Sequence, residues 1–305
     1  MTTQEAQSRF DVDIMMLGHF AKDKIVVDGV TRTASGGAVH YGSIALRQLD
    51  FSVAVVTRLH PDDFELLEEM KEAGVIVFPV PASATSGVRN IYDSSDMERR
   101  ICKLVGFAGP FSEDDLPDIT ARVYLITPII AGEVDLPLLK SLASRGPVGL
   151  DVQGFVRVPE ERRGEENALV FHQWPEMAEG LAHVTYLKVD RAEAELLTGE
   201  TDLAVAAEKL SGYGPREIVI TQSSGLVVYA EGQIYQAPFT PRSLKGRTGR
   251  GDTCFSTYVG KRLTTSPEEA TRFAAAVTTL KQEEPGPWRG SMEDVRDVMA
   301  AHQAG

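Results

Sequence analysis

Short apolar runs alternate with amphipathic segments along most of the chain. The apolar runs predict strands over residues 13–18, 53–59, 75–80, 123–130, 148–153, 184–190 and 217–222. Between them, helical spacing and helix start and stop signals predict helices over residues 61–74, 136–146 and 201–214. The strand runs are continuous rather than alternating, which is typical of strands covered on both faces. The pattern therefore predicts a doubly wound α/β fold, with a mainly parallel sheet flanked by helices.

The segment 86–106 breaks this rhythm. Its residues predict two strands around a polar turn at 93–96. Two strands of mixed charge do not form a βαβ unit, so we expect a small sheet that projects from the main one. A lid over a site and a decorative hairpin both remain open for it. The stretch 159–174 is the most linker-like, and we interpret it as a charged excursion from the core.

Charge and cysteine content narrow the possible partners and the setting. The formal net charge of the 305 residues is −13, which disfavours nucleic acid and anionic membranes as partners. No apolar run approaches transmembrane length. The two cysteines, Cys102 and Cys254, are too few to staple a chain of this length and fit a reducing environment. We expect one domain over residues 1–305 and a cytoplasmic location.

Residues 246–255, GRTGRGDTCF, place glycines directly before a helical segment that begins near Asp252. Glycines let a ligand approach the backbone closely, and the N–H groups at a helix start favour an anion. Asp252 is then a candidate catalytic carboxylate, with an ordinary helix cap as the alternative. The tripeptide 250–252 also occurs as an adhesion sequence in extracellular proteins, but the sequence gives no support for that setting.

This stretch resembles the C-terminal signature of the PfkB/ribokinase family of carbohydrate kinases, and the resemblance extends over nearly the whole chain. GHFAKDKIVVDG at 18–29, SGGAVHYGSIALRQL at 35–49 and YLKVDRAEAELLTG at 186–199 are similar to further family motifs. GLDVQGFVRV at 149–158 and ITPIIAGEV at 126–134 resemble its myo-inositol kinase branch more closely. The resemblance implies a ribokinase-like fold whose lid strands lie within about 20–40 and 86–106.

The resemblance also implies a role for each motif residue. Asp252 would act as the base, while the backbone of Gly249, Arg250 and Gly251 would hold the transferred phosphate. The substrate would contact Asp23, Gly36, Gly37, Tyr41, Asp151, Gln153 and Arg157. The nucleotide would contact Thr221, Gly225, Thr248, Gly249 and Gly251. Mg²⁺ would be positioned by Asp190 and Glu193, mostly through water.

Ordinary structural roles remain open for many of these residues. Asp190 and Glu193 also suit a helix N-cap with an acidic first turn. Asp23 and Asp151 could also be ordinary loop aspartates that follow strands, although we favour the functional role. Arg157 could be a solvated side chain, and His40 and Tyr41 could pack into the first helix.

The chain departs from the family pattern at several positions. Arg250 replaces a small alanine, Asp190 replaces the usual asparagine, and Tyr41 stands where sugar kinases of the ribokinase branch often carry asparagine. The stretch 220–229, ITQSSGLVVY, is one residue shorter than the family's nucleotide turn. These departures leave the phosphate donor and the acceptor open.

The sequence thus predicts an ATP- and Mg²⁺-dependent phosphotransferase that acts on a hydroxyl of a small polyol or sugar. A myo-inositol-like cyclitol is preferred, before ribokinase-like sugars and nucleosides. A monovalent cation could assist, and a homodimer could form through the lid. The alternative from another class is a non-catalytic ligand-binding protein on the same fold, although the retained Asp252 argues against it. A dinucleotide-dependent oxidoreductase is disfavoured because no G-x-G-x-x-G follows the first strand.

Overall fold

The computed structural model describes residues 11–93, 96–160 and 167–304. Fifteen strands lie in these ranges: β1 (Val12–Leu17), β2 (Ala21–Val27), β3 (Val30–Gly36), β4 (Val53–Leu59), β5 (Ile76–Pro81), β6 (Gly87–Asp93), β7 (Asp96–Gly106), β8 (Ala121–Ile126), β9 (Val148–Asp151), β10 (Arg157–Glu160), β11 (Ala168–Phe171), β12 (Tyr186–Asp190), β13 (Glu217–Gln222), β14 (Gly225–Ala230) and β15 (Gln233–Pro238). The same ranges hold ten α-helices: α1 (Ala38–Gln48), α2 (Glu68–Glu72), α3 (Leu136–Arg145), α4 (Gln153–Val156), α5 (Met177–Leu181), α6 (Arg191–Thr198), α7 (Leu203–Ser211), α8 (Arg250–Arg262), α9 (Pro267–Glu283) and α10 (Met292–Ala304).

The main sheet has nine strands in the order β15-β14-β13-β12-β9-β8-β1-β4-β5. The seven strands from β13 to β5 are parallel, and β14 and β15 add an antiparallel edge. This arrangement confirms the predicted doubly wound, mainly parallel α/β sheet, and it is the ribokinase-like fold that the resemblance implied.

Helices cover both faces of the main sheet, which explains why its strands are apolar throughout. In β1, Met15 and Leu17 contribute to one hydrophobic core, while Ile14 and Met16 contribute to the other. The first core contains buried residues of α3, α6 and α7, and the second contains those of α1, α8 and α9. Alternate side chains of a strand point to opposite faces, so a strand buried on both faces needs an unbroken apolar run.

A second sheet of six strands lies beside the first, in the order β10-β11-β7-β6-β2-β3. It contains the strands predicted within 20–40 and 86–106, where β2 pairs with β3 and β6 pairs with β7. The turn residues 94–95 of the predicted hairpin lie outside the described residues. The parallel pairing of β2 with β6 is extended by a bridge between Ala21 and Ser86.

The interpretation of 159–174 as a charged excursion was wrong for residues 159–160 and 168–171, which lie in strands. This region supplies part of β10 and all of β11, which pair with each other and join the second sheet through Ala168 and Lys103. The strands were hidden because each is only four residues long and only half-buried, so neither shows a strong apolar pattern. Residues 161–166 lie outside the described residues.

The predicted helix over 61–74 is divided in the structure. A 3₁₀ helix at Pro61–Leu67 leads into the short α2, and the chain turns at Gly74, where φ is +84°. Across the described ranges, no helix combines the length and apolar character needed to cross a bilayer.

Candidate active site

Most of the predicted site residues meet around one cavity of about 390 Å³. The cavity lies at the carboxyl ends of β9, β12 and β13, where Asp151, Asp190 and Thr221 line its wall. The start of α8 forms a further side, and residues of the second sheet such as Asp23 also line it. In parallel α/β sheets, this edge is where ligands bind.

The cavity lining can be compared directly with the predicted residues. The predicted residues that line it are Asp23, Gly37, Tyr41, Asp151, Gln153, Arg157, Asp190, Thr221, Thr248, Gly249, Arg250, Gly251 and Asp252. Gly36, Glu193 and Gly225 are not among the lining residues. His40 is also absent from the lining and is buried in α1, so the packing alternative describes it.

The glycine-rich turn ends where α8 begins. Gly249 is the N-cap and adopts φ +81°, a left-handed conformation that side-chain-bearing residues rarely adopt. A Cβ at this position would overlap the ring of Tyr41, so glycine also permits close packing. The amide of Arg250 donates to the carbonyl of Arg247 at 3.2 Å. The amide of Arg250, which was predicted to hold the phosphate, is therefore already bonded inside the turn.

Asp252 lies in the first turn of α8 and lines the cavity. Its charge acts on several neighbours. Burial, and next the negative charges of Asp252 and Asp23, raise the pKa of Tyr41 above its usual range. The phenol of Tyr41 therefore stays protonated, and its hydroxyl donates to the carbonyl of Ser35 at 3.2 Å.

Lys188 was missed by the motif comparison, although it lies at the centre of the site. Its Nζ is 3.0 Å from both carboxylate oxygens of Asp151 and 3.8 Å from Glu193 Oε2. Burial lowers the pKa of Lys188, but the surrounding carboxylates outweigh burial and raise it above its usual range. A Cβ added to Gly251 would lie 3.7 Å from Lys188 Nζ, so this cation is adjacent to the glycine turn. The only sequence signal for Lys188 is a charged residue inside an apolar strand.

Asp190 and Glu193 form a capping box at the start of α6. Asp190 Oδ1 accepts from the amide of Glu193 at 2.8 Å, and Glu193 Oε2 accepts from the amide of Asp190 at 2.7 Å. Glu193 is fully buried, and its Oε1 lies 3.2 Å from Arg157 Nη2. This pair therefore caps the start of α6, as the alternative from the sequence proposed. Of the two residues, only Asp190 lines the cavity.

Arg157 is not solvated, contrary to the alternative considered from the sequence. Its side chain is 12% exposed, and its Nη2 lies 3.5 Å from Asp190 Oδ2. Burial lowers the pKa of Arg157, but the carboxylates of Glu193 and Asp190 reverse that effect and raise it. Arg157 thus links the wall of the cavity to the start of α6.

Asp23 is buried on β2 and faces the cavity. Its Oδ1 accepts from the amide of Val88 at 2.9 Å, which joins β2 to β6. Gly36 lies beside the same carboxylate, because a Cβ there would be 2.5 Å from Asp23 Oδ2. Gly37 is the N-cap of α1 at φ +87°. The two predicted glycines therefore allow close packing around Asp23 and a tight entry into α1.

The second sheet contributes residues that no motif indicated. Asn90 on β6 lines the cavity and is only 4% exposed. Its Oδ1 has no hydrogen-bond partner among the described residues. A buried amide oxygen is costly to leave unsatisfied, so its position on the cavity wall suits a ligand that donates hydrogen bonds. Sequence alone could not select Asn90, because its role depends on pairing between strands.

The region predicted to bind nucleotide is compact. Strands β13 and β14 are joined by Ser223 and Ser224 alone, with Gln222 paired to Gly225. Gly225 packs against β15, where a Cβ would overlap the carbonyl of Ala237. The basic residues Lys245, Arg247 and Arg250, which lie in or just before the glycine-rich turn, also line the cavity.

Direct metal binding is not evident from the protein side chains. In the described part of the chain, no group of three or more histidines, cysteines, aspartates or glutamates is arranged to hold a metal ion. Glu193 does not suit a metal, because its oxygens contact the Asp190 amide and Arg157. Asp190 suits one through water, because its side chain is partly exposed and lines the cavity.

Known proteins share this fold and sequence pattern. The pfkB family carbohydrate kinase model matches residues 11–293. A pyrophosphate-dependent kinase in the ribokinase family, solved with a pyrophosphate analog and myo-inositol, is 35% identical, with a TM-score of 0.85 over 93% of this chain and 99% of that one. A pyrophosphate-dependent myo-inositol-1 kinase, converted into a myo-inositol-3 kinase by a double substitution, is 34% identical, with a TM-score of 0.84 over 96% of this chain and 100% of that one.

A curated relative is more distant. The cytidine kinase of Thermococcus kodakarensis is 25% identical over 252 residues, which are 79% of this chain and 85% of that protein. The fold and the cavity define a phosphotransferase that acts on an alcohol group. The chain belongs to the pfkB family of carbohydrate kinases.

Proposed function

We propose that this protein transfers a phosphoryl group from inorganic pyrophosphate to a hydroxyl of a cyclitol such as myo-inositol. The observation that carries the proposal is the pairing, in one cavity, of Asp252 at the start of α8 with polar residues from both sheets. Similarity to pyrophosphate-dependent kinases, one of them solved with myo-inositol, supports the choice of both substrates.

The acceptor half of the cavity suits a ring that carries many hydroxyls. Asp23 and Asp151 place carboxylate oxygens at its wall, and Asn90 adds an amide oxygen without another partner in the described residues. Hydroxyl groups can donate to all three. Because Asp151 is also held by Lys188, its position is fixed before a substrate arrives.

In the proposed reaction, Asp252 accepts the proton of the attacked hydroxyl, and that oxygen bonds to the phosphorus of pyrophosphate. The bond between this phosphorus and the bridging oxygen breaks, and inorganic phosphate leaves. The N-terminus of α8 and the Lys188 ammonium both favour the negative charge of the transferred group. Mg²⁺, where bound through water near Asp190, would neutralise further phosphate charge.

Two features of the proposed donor side of the cavity favour pyrophosphate over the ATP that the sequence predicted. The link between β13 and β14 is a two-residue turn, which offers little surface to cover a nucleoside. Lys245, Arg247 and Arg250 bring positive charge to the same cavity. These cations can bind the phosphates of pyrophosphate, which has no base or ribose that would need further contacts.

The test is a matrix of acceptors and donors followed by phosphorus NMR of the products. myo-Inositol, ribose, fructose and cytidine are each incubated with pyrophosphate or ATP, with Mg²⁺ present. We expect myo-inositol and pyrophosphate to give an inositol monophosphate and phosphate. Turnover with ATP alone would refute the donor proposal, and a clear preference for cytidine or a sugar would refute the acceptor proposal.

A further inference from the structure

Lys281 is a buried lysine on α9 that belongs to none of the motifs. It is 1% exposed, and its Nζ donates to the carbonyl of Gly246 at 2.7 Å. The same Nζ contacts the carbonyl of Glu284 at 3.5 Å and lies 5.2 Å from the ring centroid of Tyr41. A cation held by two backbone carbonyls and an aromatic face is an unusual use of a buried lysine, because isolated charges are costly to bury.

These contacts place the ammonium behind the glycine-rich turn. Gly246 opens that turn, and its amide donates to the carbonyl of Gln282 at 2.8 Å. Tyr41 also contacts the turn, because a Cβ on Gly249 would overlap its ring. Lys281 therefore secures both ends of the turn, directly at Gly246 and through the Tyr41 ring at Gly249.

The charge of Lys281 also reaches the proposed base. The negative charge of Asp252 favours the ammonium form of Lys281 against the cost of burial. Carbonyl oxygens that converge on one point are the ligands by which proteins bind monovalent cations such as K⁺. Here a covalently attached cation already lies between the carbonyls of Gly246 and Glu284.

We propose that the Lys281 ammonium is a built-in monovalent cation that positions the glycine-rich turn for its anion, so that donor binding and turnover need no added K⁺. Lys281 acts as a positioning residue, because it touches the turn and not the substrate. A lysine with a purely structural role would instead affect folding stability without any link to dissolved cations. The proposal rests on the phosphoryl transfer proposed above.

The test removes the ammonium and then offers a replacement from solution. Lys281→Met keeps most of the side-chain volume without charge, and Lys281→Ala leaves space for a small ion. Lys261→Met is the matched control, because Lys261 also lies over an aromatic ring, that of Phe273 at 4.9 Å, but on the far end of α8. Donor affinity by calorimetry, turnover and melting temperature are measured in tetramethylammonium, potassium or ammonium chloride at equal ionic strength.

We expect the wild type and Lys261→Met to bind pyrophosphate equally well in all three salts. Lys281→Met should bind at least about tenfold more weakly in every salt, since a charge-assisted contact is lost. Lys281→Ala should recover several-fold in ammonium or potassium relative to tetramethylammonium, which is too large to enter. Activation of the wild type by K⁺, or an alanine variant that responds equally to all three salts, would overturn the proposal.

The measurements are run with both pyrophosphate and ATP, so that an error in the proposed donor does not remove the comparison. A wild type that turns over neither donor would refute the proposed function. The salt response of donor binding in the Lys281 variants would still decide the role of the ammonium. Melting temperatures identify a variant that fails to fold. If Lys281→Met fails to fold, the proposal is decided by whether ammonium or potassium restores donor binding to Lys281→Ala.

Discussion

Asp252 is positioned by the helix that it helps to start. It lies one turn from the left-handed Gly249, next to Gly251, and faces a cavity that also contains Lys188 and Asp151. Around it, Lys188 pairs with Asp151 and Arg157 pairs with Glu193, so these buried charges have opposite neighbours. A substitution of Asp252 that keeps its shape can therefore change turnover without changing folding.

Asp252→Asn keeps the shape and the capping ability of the side chain but cannot accept a proton. We expect normal folding, near-normal donor affinity and a kcat lower by about 10²–10⁴-fold, the usual contribution of a general base. Steady-state kinetics and calorimetry measure these quantities. Asp202→Asn is the control, because Asp202 caps α7 away from the cavity. Full turnover by Asp252→Asn would remove the catalytic assignment.

Asn90→Leu tests the acceptor side of the cavity. Its amide oxygen is buried without a partner in the described residues, so removing it should not lower the melting temperature. The loss of one hydrogen bond to a hydroxyl should lower kcat/KM for the acceptor about tenfold, corresponding to ~1.4 kcal/mol. A variant that is much less stable but unchanged in kcat/KM would show that Asn90 serves the fold instead.

At the scale of elements, His19 lies in the loop that leads from β1 of the main sheet into β2 of the second sheet. Its Nδ1 lies 2.7 Å from Ser86 Oγ, next to the Ala21–Ser86 bridge that extends the pairing of β2 with β6. Burial lowers the pKa of His19 to about 3, so the ring is neutral and Nδ1 can accept from the hydroxyl. A neutral hydrogen bond thus anchors the loop that leads into the second sheet, and the ion pair of Lys22 Nζ with Asp63 Oδ1 at 2.6 Å connects β2 to the 3₁₀ helix.

We predict that β2 and β6 exchange their amide hydrogens faster than β8 and β9 in the ligand-free protein. The central strands β8 and β9 are covered on both faces. In contrast, β2 and β6 belong to the smaller sheet and line the cavity, so their hydrogen bonds should open more often. Adding myo-inositol with a non-hydrolysable pyrophosphate analog should slow exchange in β2 and β6 selectively. Strong protection of these strands without ligand would contradict a moving lid.

The α9 lysine makes donor binding depend on pH. Burial lowers the pKa of Lys281 to about 8, with Asp252 opposing that effect. The ammonium is therefore present below pH 8 and is lost as the pH rises above it. The neighbouring His40 and Tyr41 do not titrate near pH 8, because burial lowers the pKa of His40 to about 4 and raises the pKa of Tyr41 above its usual range.

Donor affinity of the wild type should thus fall above pH 8, with no matching step in Lys281→Met. Titration of pyrophosphate itself affects both proteins equally, so their ratio isolates Lys281. Folding stability should change in the opposite sense. Between pH 8 and the ordinary lysine pKa near 10.5, the unfolded chain binds a proton that the fold does not, so wild-type stability rises relative to Lys281→Met. Calorimetry and urea unfolding across this range measure both effects.

The same elements show what could be predicted from sequence. The strands 53–59 and 217–222 were predicted with the bounds that the structure has, because turn residues and apolar runs are local signals. The roles of Lys188 and Lys281 were not predictable. Each depends on a partner distant along the chain: Asp151 lies 37 residues from Lys188, and Gly246 lies 35 residues from Lys281. The strands β10 and β11 were missed because their pairing, not their composition, makes them a sheet.

At the scale of the whole molecule, charge is unevenly distributed. The formal net charge is −13, yet the cavity contains several lysines and arginines, among them Lys188, Arg157 and Arg250. We expect the excess of acidic residues to repel polyanions and the local cations to attract a small phosphate. The enzyme therefore combines a repulsive surface with an attractive interior site.

Raising the ionic strength should separate these two effects. Screening weakens the long-range repulsion of the surface more than the short contacts inside the cavity. We expect the association rate of pyrophosphate to rise between low and moderate salt, with little change in its dissociation rate. Stopped-flow binding in tetramethylammonium chloride measures both rates. A steep fall of the association rate with salt would mean that local cations dominate the approach as well.

The second sheet takes its strands from three separated stretches of the chain, 21–36, 87–106 and 157–171. During synthesis, its first hairpin emerges from the ribosome long before β6, with which β2 pairs across about 65 residues, as in Lys24 with Arg89. Loop-closure entropy makes such distant pairings slow. A nascent chain therefore presents unpaired strand edges until residue 171 is available, and its binding cavity is complete only after Asp252 has been made. Synthesis must therefore pass Asp252 before the enzyme can recognise its substrate.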